Sequence, residues 1–181
     1  MGAILVHEFI TLDGVIENPA WSAPYGFDPK MGEAIAEIMG SSKALLMGRV
    51  TYELFAPSWS GRTAEDDPGA PFMNDSPKHV VSATLENPTW NNTSPLGAYD
   101  RQKIQSLKDS IDGDIYVSGS ATLARGLLRD GLVDELHLFM YPLTLGHGAR
   151  LFDDGLDLKL SLITTETYDN GVVHLAYGSE K

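Results

Sequence analysis

Residues 43–53 restrict the possible folds of this chain more than any other stretch. Residues 43–47 (Lys-Ala-Leu-Leu-Met) form a short apolar run bounded by turn signals, which is typical of a buried parallel strand. Gly48 and Arg49 follow, and a helical pattern begins at Val50. A strand that passes through a glycine turn into a helix is the first half of a β-α-β unit. It predicts a sheet covered by helices.

The same order recurs along the chain. Apolar runs alternate with helical patterns, the runs at 3–10, 78–84, 114–117 and 135–141 and the helical patterns at 31–41, 99–111 and 123–128. Residues 57–77 are expected to form a long surface loop, and a weak strand is expected near Trp90. Alternating residues on both sides of Asn170-Gly171 predict a hairpin. We therefore predict an α/β fold in three layers, with a mixed, mostly parallel sheet, helices on both faces and a C-terminal antiparallel hairpin.

Composition excludes several classes of function. The 181 residues contain no cysteine, which removes disulfides, Cys-ligated metals and thiol catalysis. The net charge of −12 makes nucleic acid and anionic membranes poor partners. Five scattered histidines show no metal-ligand spacing, so no metal is expected. With no visible targeting or membrane-spanning segment, the sequence predicts one cytoplasmic domain over residues 1–181.

Ligands of open α/β sheets lie beyond the carboxyl ends of the strands. Four such exits are rich in glycine or hydroxyl groups: Asp13-Gly14, Gly48-Arg49-Val50-Thr51, Ser82-Ala83-Thr84 and Ser118-Gly119-Ser120. At the second exit, glycine permits close approach to the backbone, the helix start favours anions, and Arg49 can grip a phosphate. The alternative is an ordinary strand–helix turn with a surface arginine.

The exit at 118–122 repeats this chemistry with a glycine, hydroxyl groups and a helix start. It can cradle a pyrophosphate, or Ser120 or Thr122 can serve as a plain helix cap. Neither standard nucleotide-binding fingerprint is present. The 17–30 segment is expected to be a structured loop. Its aromatic residues Trp21, Tyr25 and Phe27 either face a ligand or pack by chance.

These motifs together resemble the dihydrofolate-reductase-like superfamily. Residues 46–53 (LMGRVTYE) resemble its MGR-x-T-(W/Y)-E signature. The resemblance is closer to the reductase domain that is C-terminal in bifunctional riboflavin-biosynthesis proteins. Four segments resemble that group's motifs in order: TLDG at 11–14, GSATL at 119–123, LVDEL at 132–136 and PLTLGHG at 142–148. The matches span about residues 3–177.

The resemblance implies an NADPH site and its residues. Gly48, Arg49 and Thr51 match the phosphate contacts, and Ser82 and Thr84 match the strand exit on the adenosine 2′-phosphate side. Further matches are Gly119, Ser120, Thr122 and Leu123 for the pyrophosphate and nicotinamide, and Asp13 for the nicotinamide end. Dihydrofolate reductases have Gly-Gly, often with a cis bond, where this chain has Gly119-Ser120. The isomer here is therefore left open.

The resemblance also implies a reaction. We expect an NADPH-dependent reductase of a small heterocycle, resembling 5-amino-6-(5-phosphoribosylamino)uracil reductase or dihydrofolate reductase, and commonly a homodimer. Trp21, Tyr25 and Phe27 would stack on the substrate. A carboxylate early in the first helix, Asp28 or Glu33 with Glu33 favoured, would aid protonation together with Asp13. The alternative is a non-catalytic NADP(H)-binding module or sensor.

Overall fold

The computed structural model describes residues 2–180. Eight strands form one sheet: β1 (Ile4–Thr11), β2 (Ser42–Gly48), β3 (Lys78–Val81), β4 (Thr93–Gly97), β5 (Asp114–Ser118), β6 (Glu135–Tyr141), β7 (Leu160–Thr167) and β8 (Val173–Ser179). The helices are α1 (Pro29–Ser41), α2 (Arg49–Trp59), α3 (Ala70–Asp75), α4 (Arg101–Ser110) and α5 (Ala121–Arg129). A 3₁₀ segment, Pro19–Tyr25, precedes α1.

The strand order is β4-β3-β2-β5-β1-β6-β8-β7. The strands from β4 to β6 pair in parallel, whereas β8 is antiparallel to both β6 and β7. Asn170 and Gly171 lie between β7 and β8, as the hairpin signal predicts. The predicted fold class, a mostly parallel mixed sheet that ends in an antiparallel hairpin, is confirmed.

Each face of the sheet carries its own apolar core. On one face, Ile4, Val6 and Ile10 of β1 pack with Leu123 and Leu127 of α5, and α4 contributes Ile104. We call this side the α5 face. The opposite side, the α1 face, packs under three helices through Met31, Ile38, Tyr52 and Met73. Because side chains alternate along a strand, consecutive residues of β1 belong to different cores.

The prediction of a long loop over residues 57–77 is wrong in part. Helix α2 continues through Pro57 to Trp59, and α3 occupies Ala70–Asp75. Proline in the first turn of α3 costs little, because the N–H that it lacks would have had no partner there. Ala70 and Met73 are buried, so tertiary contacts hold this short helix in place. The weak strand expected near Trp90 lies slightly later, at β4.

The helices of residues 2–180 are all too short or too polar to cross a membrane.

Candidate functional site

The predicted cofactor residues lie along one edge of the sheet. Strands β3, β2, β5 and β1 are parallel and stand side by side, so their carboxyl ends meet there. Ser82 follows β3, Gly48 ends β2, Gly119 follows β5 and Asp13 follows β1. Residues far apart in sequence are thereby brought together by the strand order.

Two of these exits touch each other through their glycines. A Cβ atom at Gly48 would overlap Ser120 Oγ, and one at Gly119 would lie 2.9 Å from Thr51 Oγ1. Gly119 also has a φ of 66°, which favours glycine, and the Gly119–Ser120 peptide bond is cis. We call Gly48, Thr51, Gly119, Ser120 and Leu123 the cradle. A hydroxyl side chain of the neighbouring exit lies against each glycine, so a side chain larger than hydrogen does not fit at either position unless that neighbour moves.

Two helices begin at the cradle. Gly48 and Ser120 occupy the N-cap positions of α2 and α5, and neither makes a side-chain capping hydrogen bond. Ser120 thus has the N-cap position that the helix-cap alternative gave it, but its side chain makes no capping hydrogen bond, and Thr122 lies within the first turn. The first N–H groups of both helices remain available to an anion, and both positive dipole ends point to the same edge.

Polar side chains extend the cradle on its β3 side. Arg49 Nη1 donates to both carboxylate oxygens of Glu53 at 2.8 Å, and the arginine side chain is 45% exposed. Ser82 Oγ accepts hydrogen bonds from the N–H groups of Thr84 and Leu85, at 3.1 and 3.0 Å. Arg49 is thus a partly neutralised surface cation, and Ser82 and Thr84 form one hydroxyl-bearing turn.

A group of aromatic side chains lies at the ends of β1 and β6. The ring of buried Tyr141 is 5.4 Å from those of Trp21 and Phe9, and 5.5 Å from that of Tyr25. Phe9, Trp21 and Tyr25 are only half-buried. We call these three residues with Tyr141 the aromatic surface. Phe27 lies apart from it, exposed and over Gly32 of α1. Phe9 and Tyr141 were not singled out from the sequence.

The model of the RibD C-terminal domain matches residues 3–174. The chain belongs to the RibD C-terminal domain family. The Bacillus subtilis (strain 168) protein YyaP is 27% identical to this family member over 179 residues, which cover 96% of this chain and 93% of YyaP.

Solved structures share the fold of this RibD C-terminal domain. A Shewanella sp. PV-4 protein whose name refers to riboflavin biosynthesis superposes with a TM-score of 0.76, at 19% identity and 99% coverage of both chains. Dihydrofolate reductase from Enterococcus faecalis, complexed with NADP(H) and RAB-propyl, gives a TM-score of 0.66 at 13% identity, with coverage of 99% of this chain and 98% of that chain. The expected dihydrofolate-reductase-like fold is confirmed.

Asp13 of this RibD C-terminal domain links the turn after β1 to the loop after β6 by hydrogen bonds. Its Oδ1 accepts from Thr11 Oγ1 at 2.6 Å and from Leu145 N at 3.2 Å, and its Oδ2 accepts from Gly146 N at 2.7 Å. These hydrogen bonds, that from Thr11 foremost, lower the pKa of Asp13 to about 2. The carboxylate is therefore ionised at neutral pH and is suited to orienting the strand exit rather than donating a proton.

The two carboxylates near the start of α1 have different surroundings. Asp28 is the N-cap: its Oδ1 accepts from Lys30 N at 2.9 Å, and its Oδ2 accepts from Asp169 N at 3.1 Å. Glu33 is exposed within the helix. Both carboxylate oxygens of Asp28 thus already accept backbone N–H groups, whereas Glu33 is more available to donate a proton to a substrate.

Sequence reasoning passed over Glu8, a buried carboxyl beside the cradle. Only 5% of the residue is exposed, and its Oε1 accepts from Gly119 N at 3.1 Å. Burial raises the pKa of Glu8 to about 8, an effect that the Gly119 hydrogen bond only partly opposes. The available signal was a glutamate inside an otherwise apolar strand, where an unpaired charge is costly.

Three histidines that are scattered in sequence cluster on the α1 face. His7 Nδ1 is 2.8 Å from the Tyr116 hydroxyl, His137 Nδ1 is 3.1 Å from His174 Nε2, and His137 Nε2 is 3.1 Å from Glu135 Oε2. Burial lowers the pKa of His7 to about 3 and that of His174 to about 4, and it also lowers the pKa of His137. The cluster is therefore neutral at physiological pH. No metal-binding grouping of His, Asp or Glu occurs among residues 2–180.

Proposed function

We propose that this RibD C-terminal domain is an NADPH-dependent reductase of a small heterocyclic substrate. The observation that carries the proposal is the cradle, where two uncapped helix N-termini meet at adjoining glycines on the same sheet edge as the aromatic surface. Such a site suits a pyrophosphate. The family, and a fold shared with a dihydrofolate reductase complexed with NADP(H), support the same cofactor.

The residues present fit this cofactor. Backbone N–H groups after Gly48 and Ser120 would hold the pyrophosphate oxygens, assisted by Thr51 and Thr122, and Arg49 on the β3 side would add its charge to the 2′-phosphate site. Ser82 and Thr84 would take the adenosine 2′-phosphate, and Gly119 and Leu123 would border the nicotinamide end, with Asp13 orienting the neighbouring exit. The cofactor supplies the hydride, and this chain supplies position and electrostatics.

The substrate would be a flat nitrogen heterocycle, such as a pterin or an aminopyrimidine ribosylamine of the kind used in riboflavin biosynthesis. Trp21 and Tyr25 offer half-exposed rings for stacking beside Tyr141, and exposed Phe27 lies at the end of the same segment. Glu33 is the freer of the two acids near α1, so it is the stronger candidate to assist protonation.

A two-stage experiment tests the proposal. Thermal shift with NADPH and NADH measures cofactor binding, and a ligand at 100 times its Kd should add about 2.7 kcal/mol of stability. NADPH oxidation is then followed with a panel of pterins and pyrimidine ribosylamines. Turnover of one of them is the expected result, whereas a failure of NADPH to bind the folded protein would overturn the proposal.

A non-catalytic NADP(H)-binding module is the second candidate. One observation favours it: the carboxylates of Asp13 and Asp28 both accept backbone N–H groups, which leaves Glu33 as the remaining candidate acid. Tight NADPH binding without turnover of any member of the panel would support this candidate.

Arg49 is expected to set the preference for NADPH over NADH. Because a charge-assisted hydrogen bond is worth about 1.5–3 kcal/mol, Arg49→Met should weaken NADPH binding at least tenfold and NADH binding much less. Glu53→Gln is the matched control, since it frees the guanidinium and should strengthen NADPH binding. Calorimetric titration of both variants measures this, and equal losses for the two nucleotides would refute the 2′-phosphate preference.

We also propose that the domain forms a cytoplasmic homodimer. Strand β7 is one of the two edge strands of the sheet, and its Leu162 and Ile163 are 56% and 54% exposed. An exposed apolar edge strand is a surface that another strand can cover. Size-exclusion chromatography over a range of concentrations is expected to give a dimer that Ile163→Lys dissociates. A monomer at all concentrations would refute it.

A further inference from the structure

Glu8 lies in an apolar position of the central sheet. Strand β1 runs between β5 and β6, and Glu8 stands between Val6 and Ile10 on the α5 face. Leu138 is its partner on β6. A carboxyl group at such a position loses its hydration, and its retention in a core calls for an explanation.

The Glu8 carboxyl contacts the cradle from within the core. Its Oε1 accepts the Gly119 N–H at 3.1 Å, and no group within residues 2–180 donates a hydrogen bond to Oε2. Gly119 is the residue that lies against Thr51 across the two strand exits. One carboxyl oxygen therefore supports the cradle backbone, while the other is left for a further partner.

Within the described part of the chain, residues 2–180, the groups around Glu8 provide no compensating cation. On β5, Tyr116 has its pKa raised, by burial foremost and in part by the charge of Glu8. Its β1 neighbour His7 belongs to the opposite face and is neutral. Two arginines of the adjoining helices are already paired, Arg49 of α2 with Glu53 and Arg125 of α5 with Asp153. The charge state of Glu8 is thus free to respond to a new charge at the cradle.

We propose that Glu8 makes the cradle discriminate between the two oxidation states of the cofactor. Neutral Glu8 favours the reduced nicotinamide, which is uncharged, and ionised Glu8 favours the oxidised nicotinamide, which carries a positive charge. This inference rests on the proposed function, because it takes the nicotinamide end to lie at the Gly119 exit. Opposite charges close together in a poorly solvated site stabilise each other more strongly than in water.

The proposal predicts a pH-dependent preference. Because burial raises the pKa of Glu8 to about 8, the acid is mostly neutral at pH 6.5 and mostly ionised at pH 9. Between these values the affinity for NADP⁺ relative to that for NADPH should rise about tenfold. Other titrating groups, including the 2′-phosphate, are common to both complexes, so they cancel in the ratio of the two dissociation constants.

Calorimetric titration with NADPH and NADP⁺ at pH 6.5, 7.5 and 9 tests this. Glu8→Gln keeps an acceptor for Gly119 N–H and should abolish the change in ratio, whereas the exposed control Glu65→Gln should retain it. A pH-independent ratio in the wild type, or an unchanged response in Glu8→Gln, would overturn the role of Glu8. If the folded protein bound neither nucleotide, the proposed function itself would fail.

A measurement on the wild-type protein tests the same proposal even if the Glu8→Gln variant does not fold. Titration at pH 7.5 in two buffers of different ionisation enthalpy reports the protons exchanged on binding. NADP⁺ should release part of a proton that NADPH does not, because the positive ring promotes ionisation of Glu8. Equal proton exchange for the two nucleotides would contradict the proposal.

Discussion

Replacing Gly119 with alanine is expected to lower the free energy of unfolding by about 2–4 kcal/mol and to weaken NADPH binding at least tenfold. The backbone φ of 66° costs a non-glycine residue about 1–2 kcal/mol. The added Cβ would also lie 2.9 Å from Thr51 Oγ1, so the two strand exits would have to separate. Chemical denaturation and calorimetric titration measure the two effects.

Gly131→Ala is the matched control for this substitution. Gly131 has the same φ of 66°, but a Cβ there meets no atom within 4 Å. Only the conformational cost, about 1–2 kcal/mol, is expected, with NADPH binding unchanged. Equal destabilisation by the two variants would mean that the contact between Gly119 and Thr51 does not constrain the cradle.

Stability is expected to be highest near pH 6.5 and to fall on both sides. The neutral histidines of the α1 face have pKa values below 6.5 in the native state. The unfolded chain therefore binds more protons than the native state as the pH falls, and acid destabilises the fold. Glu8 acts in the opposite sense. Because the pKa of Glu8 is raised to about 8 in the folded state, its contribution to the free energy of unfolding is complete below pH 4.5 and is lost as the pH rises through 8.

The size of each group's contribution to the free energy of unfolding decides which group governs stability in each pH range. A single fully shifted group changes stability by about 1.4 kcal/mol per pH unit. Between pH 4.5 and 6.5, His7 and Glu8 change the free energy of unfolding by similar amounts in opposite directions. His137 and His174 therefore decide the net effect, and lowering the pH destabilises the fold. From pH 6.5 to 8, Glu8 alone among these groups titrates, and about 2 kcal/mol is lost. Above pH 8 the loss from Glu8 ends, because Glu8 is then ionised in both states, and Lys78, whose pKa burial lowers to about 8, stabilises the fold as the pH rises further.

Urea denaturation at pH 5, 6.5 and 8 measures the profile. Glu8→Gln should remove the alkaline decline between pH 6.5 and 8. His7→Gln should reduce acid sensitivity by about 2 kcal/mol between pH 6.5 and 5, whereas the exposed control His147→Gln should not. An alkaline decline that persists in Glu8→Gln would show that another group causes it.

Most of the sheet could be predicted from the sequence, because each buried strand is an apolar run bounded by turn residues. The Asn170-Gly171 signal placed the hairpin, and the glycine exits placed the cradle. The failures have local causes. Pro57 looks like a helix end, yet α2 continues past it, and α3 depends on tertiary burial of Met73 rather than on its own composition.

The parts of the site that were missed depend on register. His7 lies opposite His137, and His174 lies opposite Phe139, pairings that no spacing in the sequence reveals. Phe9 and Tyr141 join Trp21 and Tyr25 only because β1 and β6 are neighbours. Glu8 looks like an interruption of an apolar run until the Gly119 N–H is placed beside it.

The position of β8 between β6 and β7 has a consequence for biosynthesis. Strand β7 is translated before β8, yet β8 is the strand with which it pairs. Strand β7 must therefore stay unpaired until β8 has been made and has inserted beside β6. Nascent chains are vulnerable to aggregation while strand edges stay open. A chain that stops before β8 would leave one edge of β6 and the whole of β7 without a partner, so this side of the sheet closes only when β8 is complete.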